Sequence, residues 1–155
     1  MKIEKDKLIS ILIKFNLWWK NEPIPDLPPW KREVFQELIT WVKSPPVHRA
    51  VLVSGSRQVG KTTLLLQAIQ DLLDSGTPPS NILYATFDHP LCKLAGLEAV
   101  LEAWREIEPQ KEGPEYLFLD EAQFIKNIGT WVKHNTDFFK NKRIIFTGSA
   151  TPLIH

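Results

Sequence analysis

Ala50-Val51-Leu52-Val53-Ser54-Gly55-Ser56-Arg57-Gln58-Val59-Gly60-Lys61-Thr62-Thr63-Leu64-Leu65-Leu66-Gln67-Ala68-Ile69 is the stretch that decides the fold. Gly55 to Thr62 fits the phosphate-loop pattern G-x-x-x-x-G-K-[ST]. The apolar run before it reads as a buried strand. The segment after it, with Leu65, Ile69 and Leu72/Leu73 on one side, reads as a helix. The spacing suits anion capture, because loop N–H groups and the unpaired N–H groups of a helix's first turn point together at phosphate. Gly55 and Gly60 allow backbone angles and a close approach that a Cβ would obstruct. Gly55, Ser56, Arg57, Gln58, Val59, Gly60, Lys61, Thr62 and Thr63 are therefore the candidate nucleotide-binding residues. Lys61 is expected on the β/γ-phosphates, and the Thr62 hydroxyl at Mg²⁺. A glycine turn matching the pattern by chance is the bland alternative; strand, helix and a second motif downstream weigh against it.

That second motif is Asp120-Glu121, which follows the apolar run Tyr116-Leu117-Phe118-Leu119. Open parallel sheets bind ligands at the carboxyl ends of their strands. Asp120 is the expected Mg²⁺ partner, commonly through water, and Glu121 the residue that orients or deprotonates an attacking water. Alone, the pair would read as a solvated strand end; Lys61 upstream makes it half of a site. Thr147 and Ser149 close a further apolar strand, Arg143-Ile144-Ile145-Phe146. A hydroxyl there could sense phosphate or water, or simply bond within the turn, and for Thr147 both readings stand. Asp88 reads equally as a contact of Glu121 and as a cap. His48, His89 and His134 show no metal-ligand spacing.

Around these motifs the chain alternates. A helix is expected over 5–20, with Leu8, Ile11/Leu12, Phe15 and Trp18/Trp19 on one face. Its aromatic load reads as packing on the chain's own domain in preference to a partner-docking face. Asn21–Trp30, with four prolines, is a connector. A second helix is expected from about 28–30 to 43, strands over 50–54 and 81–87, and helices over 61–74, 97–107 and 128–139. Helices between near-continuous apolar strands imply an α/β fold with a parallel sheet covered on both faces. The expected organisation is an N-terminal helix and Pro-rich connector over 1–29, then a core over 30–155.

Composition excludes more than it selects. The chain has 155 residues, 43% hydrophobic and 24% charged, with net charge +1. Such a balance gives no overall basic field for nucleic acid or an anionic membrane. One cysteine, Cys92, allows no internal disulfide framework. No stretch approaches a membrane span or a secretory leader, so a cytoplasmic location is expected.

Residues 55–64, Tyr116-Leu117-Phe118-Leu119-Asp120-Glu121-Ala122-Gln123 and Ile144-Ile145-Phe146-Thr147-Gly148-Ser149-Ala150 together resemble the AAA-like P-loop ATPases of prokaryotes that often carry a C-terminal DUF4143 domain. The resemblance covers roughly 30–155. It implies a three-layer P-loop NTPase sandwich of strand order 5-1-4-3-2, with ATP and Mg²⁺ as cofactors. It also implies Ser149 as a polar sensor, so Lys61, Glu121 and Ser149 are the candidate catalytic residues. Ser56 departs mildly from the proline common in the group's loop. Against that pattern a fifth strand, a lid and a second arginine sensor are missing. The chain looks truncated, with the first strand left as an open edge suited to self-association. Nucleotide binding is then a safer expectation than turnover.

Two other readings remain. Asp120-Glu121-Ala122-Gln123 and Ser149-Ala150-Thr151 resemble helicase motifs, which implies RNA or DNA. Against this, only 120 − 61 = 59 residues separate Lys61 from Asp120, and the net charge gives no support. A non-catalytic interaction module built on Trp18-Trp19 is the third. No Asn-Lys-x-Asp-type guanine reader is present, which favours ATP, and the adenine is expected near Ile24–Arg32.

Overall fold

Four apolar runs pair into one sheet in the computed structural model, which describes residues 4–31, 33–44, 51–54, 60–138 and 141–148. The strands are β1 (Val51–Ser54), β2 (Ile82–Thr86), β3 (Glu115–Asp120) and β4 (Lys142–Gly148). Every pairing is parallel and the order is β1-β4-β3-β2. The helices are α1 (Lys5–Phe15), α2 (Glu33–Lys43), α3 (Lys61–Asp74), α4 (Pro90–Ala95), α5 (Leu97–Ile107) and α6 (Ile128–Phe138). This is the α/β architecture expected from the alternation of runs, with the expected 1-4-3-2 strand order.

Side chains alternate along a strand, so β2, β3 and β4 each feed two cores, while β1 adds Val51 and Val53 to one of them. Ile82, Tyr84, Tyr116, Phe118 and Ile145 pack with α2, α3 and Trp18. Leu83, Ala85, Leu117, Leu119, Ile144 and Phe146 pack with α1, α4, α5 and α6. Both faces of β2, β3 and β4 are covered, which is why these strands read as nearly unbroken apolar runs, whereas on β1 Leu52 and Ser54 are exposed. At the amino end of β3, Glu115 accepts from Arg105 of α5 and, at 2.8 Å, from Lys142 of β4.

The N-terminal segment differs from the single helix expected over 5–20. The α-helix stops at Phe15, and a 3₁₀ turn over Leu17–Lys20 follows. The break is at Asn16, whose amide competes for backbone groups as such side chains do. Its Nδ2 donates to Leu12 O at 2.8 Å and Tyr84 O at 2.9 Å, and its Oδ1 accepts from Tyr84 N at 2.7 Å. The amide thus acts as one residue of a neighbouring strand along the free edge of β2. Trp18 and Trp19 finish the job, their indole Nε1 groups both donating to Ile82 O at 3.0 and 2.9 Å. An edge strand needs such cover. Leu8 and Leu12 join the core formed by the sheet, so α1 packs on the chain's own domain.

Two other boundaries moved. Helix α2 starts at Glu33 instead of 28–30, because a residue that precedes proline disfavours the helical region and Gln67 Nε2 takes the Pro28 and Trp30 carbonyls at 3.2 and 3.0 Å. The short α4 was not expected at all. Asp88-His89-Pro90 reads as a strand end, yet Pro90 occupies the first turn of α4 and His89 Nδ1 caps it, accepting from Leu91 N at 3.1 Å. Among the described residues no helix is long and apolar enough to cross a membrane.

Asn16 is fully buried. Replacing it with Ala strands Tyr84 N–H and C=O on the sheet edge, and is expected to cost about 2 kcal/mol or more in urea unfolding. A loss below about 0.5 kcal/mol, the range of an ordinary surface substitution, would show that the edge is held by other groups.

Candidate functional site

Alternation also assembles the site. Asp120 has the parity of Tyr116 and Phe118, Thr147 that of Ile145, and Tyr84 that of Ile82, so all three project toward α3. Thr62 meets them from the first turn of α3. Its Oγ1 donates to Asp120 Oδ2 at 2.7 Å, joining residues 58 positions apart. Tyr84 OH donates to the same oxygen at 2.6 Å. The other oxygen, Oδ1, accepts from Thr147 Oγ1 and from Glu121 N at 3.1 Å. Asp120 is 2% exposed.

Lys61 is 3% exposed and reaches across to β4, its Nζ donating to Gly148 O at 2.9 Å. Gly60, which caps α3, has φ 68° and ψ 37°, the left-handed region in which glycine carries no Cβ penalty. Glu121 has φ 53° without that freedom. Its conformation is held from three directions. Its N–H also reaches Thr147 Oγ1 at 3.0 Å, and its Oε1 accepts from Gln123 Nε2 at 2.6 Å. Strained backbone held this firmly clusters at functional sites.

Of the expected site residues, Lys61, Thr62, Asp120 and Glu121 are brought together, with Gly60 and Thr63 beside them. Gly55, Ser56, Arg57, Gln58, Val59 and Ser149 lie outside the described residues. Thr147, for which two readings stood, donates its hydroxyl to Asp120. Asp88 is exposed, and His89 is spent on capping α4. Tyr84 is the residue that sequence reasoning passed over. It reads only as part of the strand over 81–87, although a buried tyrosine hydroxyl needs a partner and Asp120 ends the neighbouring strand.

Chemically, a threonine hydroxyl committed as donor to a carboxylate keeps its lone pairs for a cation. Among the described residues no cluster of three or more His, Cys, Asp or Glu side chains is present. Mg²⁺ commonly takes one or two protein oxygens plus phosphate and water, and the hard hydroxyl oxygen of Thr62, held by Asp120, fits it. Next to Gly60 and Thr63, a cleft of about 170 Å³ is lined also by Pro28, Trp30, Leu64 and Gln67. A larger cavity, about 810 Å³, lies apart from this chemistry, between α4, the start of α5 and Trp131.

A parallel α/β sheet with a lysine, a threonine and an aspartate converging where two strands end and one helix begins defines a nucleotide-binding domain of the P-loop NTPase type. The chain belongs to the AAA-domain family, whose model matches residues 47–155, more than half its length. No curated protein matches it. Among solved structures, it is similar to Cdc6p from Pyrobaculum aerophilum, with TM-score 0.56 and 15% identity over 83% of this chain and 42% of that one. It is similar as well to C. elegans PCH-2, with TM-score 0.54 and 16% identity over 92% of this chain and 43% of that one. At such identities the likeness is one of fold, and the chain spans less than half the length of either protein.

Burial, with the Asp120 carboxylate beside it, pushes the Tyr84 phenol far above its ordinary 10.0, and burial raises Tyr116 as well. The unfolded chain then loses phenolic protons at a pH where the folded chain keeps them. This contribution to stability is complete below the unfolded value and declines as pH rises beyond it. In metal-free buffer, stability should fall between about pH 9 and about pH 11, and fall less steeply in Tyr84→Phe. Equal slopes for the two proteins would contradict the assignment.

Proposed function

We propose that the chain binds Mg·ATP and supplies the chemistry for hydrolysing its β–γ bond, in-line attack by water, when in its working assembly. The observation that carries this reading is the 2.7 Å bond between Thr62 and Asp120, with Lys61 alongside. It couples the start of α3 to the end of β3, as a phosphate-and-cation site requires. Residues 55–63 cradle the phosphates through backbone N–H groups, and Lys61 adds a cation at the β/γ position. Thr62 holds Mg²⁺ and Asp120 fixes Thr62. When bound, Mg²⁺ neutralises charge developing on the phosphate oxygens. Glu121, clamped by Gln123, orients the water, and Ser149 senses the γ-phosphate. The base rests in the cleft beside Gly60, against Trp30, which is 63% exposed. That lies within the 24–32 segment expected for adenine.

Residues 1–29 serve in this reading as a brace for the core over 30–155, and the compartment is the cytoplasm. The helicase alternative gains nothing from an AAA-domain match. The interaction-module alternative loses its surface, since Trp18 is buried and both indoles are spent on β2. An arginine supplied by another molecule can be worth about 10³–10⁵ in rate. The isolated chain should therefore bind far better than it turns over.

Thermal unfolding with Mg·ATP tests the reading. ATP at about 100 times its dissociation constant should stabilise the chain by about 2.7 kcal/mol. Lys61→Ala should lose that gain. Trp30→Ala should weaken ATP binding by about 1–3 kcal/mol, the worth of a stacked base, yet leave inorganic triphosphate unaffected. A folded wild-type chain that ATP does not stabilise refutes the proposal.

A further inference from the structure

A carboxylate offers about four lone-pair positions, two on each oxygen. At Asp120 four donors are in place: the hydroxyls of Thr62 and Tyr84 on Oδ2, and the Thr147 hydroxyl and Glu121 N–H on Oδ1. Three of these come from the first turn of α3, the end of β4 and the turn after β3. The fourth, Tyr84, comes from the middle of β2 and is held in turn by the N-terminal segment. Asn16 grips its backbone on both sides, at 2.7 Å to N and 2.9 Å to O, and the Phe15 ring stands edge-on to the Tyr84 ring with centroids 6.0 Å apart.

Building on the Mg·ATP reading above, we propose that Tyr84 is a positioning residue for the metal site, filling the last acceptor position of Asp120 so that the carboxylate orients Thr62 and does not ligate the cation itself. With all four positions taken, a cation can displace a donor or bind outside the carboxylate. The second is favoured, because Asp120 is almost fully buried and its donors come from a helix, two strands and the turn after β3. Thr62, with its proton fixed on Oδ2, presents only lone pairs to the cation. Removing the phenol hydroxyl frees one position on Oδ2, lets the carboxylate turn, and loosens the acceptor on which the Thr62 geometry depends. Partners of this kind, one bond behind the metal ligands, are typically worth 10–100-fold in metal affinity. Through Asn16 and Phe15, the same contact ties the setting of the site to the segment that closes the β2 edge.

Tyr84→Phe is the test, read by ATP affinity in Mg²⁺ and in EDTA. The expected result is an unchanged affinity in EDTA and a fall of about tenfold in the gain that Mg²⁺ provides. An unchanged Mg²⁺ gain, or an equal loss in both buffers, assigns Tyr84 a packing role and overturns the proposal. The wild-type chain supplies a second readout that needs no variant to fold. It contains two tyrosines, Tyr84 and Tyr116. With ζ-¹³C-tyrosine labelling, adding Mg²⁺ to the ATP-bound chain should shift the Tyr84 resonance and leave Tyr116 in place. Two unmoved resonances count against the proposal. A wild-type chain that binds ATP in neither buffer removes the underlying reading, a failure distinct from binding that ignores Tyr84.

Discussion

The Asp120 carboxylate is the constraint on which the rest of this structure depends. It is buried at the end of β3 and shared among the first turn of α3, the middle of β2 and the end of β4. A buried carboxylate is costly unless its oxygens are bonded, and here each accepts two hydrogen bonds. Satisfying it fixes the height of α3 over the sheet, and with it the helix N-terminus at which phosphates are bound. The energetic need of one side chain and the geometric need of the site have the same solution.

The two edges of the sheet are treated differently. The β2 edge is closed by side chains, Asn16 acting as a one-residue strand and the two indoles capping the next carbonyl. Among the described residues β1 stands at the opposite edge, with Leu52 39% exposed. The covered edge carries Tyr84 and thereby the site. A segment first read as a hydrophobic helix is thus a brace for a hydrogen-bonding network, and its polar atoms matter as much as its aromatic rings.

Most of the architecture was legible because parallel strands buried on both faces leave an unmistakable mark, four apolar runs punctuated by Gly, Pro and acidic residues. The strand order followed from the resemblance, and Lys61, Thr62, Asp120 and Glu121 followed from local patterns. What sequence hid was long-range pairing. Nothing near Asn16 announces that its amide will bond 68 residues away, and Tyr84 is indistinguishable from core without knowing which residue ends the neighbouring strand. The short α4 was hidden for another reason. His-Pro after a strand serves equally as a stop and as a helix start, and local propensity does not choose between them.

The central claim is that the Thr62–Asp120 pair at the head of α3 is the cation half of a nucleotide site. A crystal structure of the chain with Mg²⁺ and a non-hydrolysable ATP analogue tests it most directly. The account predicts triphosphate on residues 55–63, Mg²⁺ ligated by the Thr62 hydroxyl, Asp120 still bonded to Tyr84, and the base against Trp30. Triphosphate bound elsewhere, or a metal with no contact to Thr62, would contradict it.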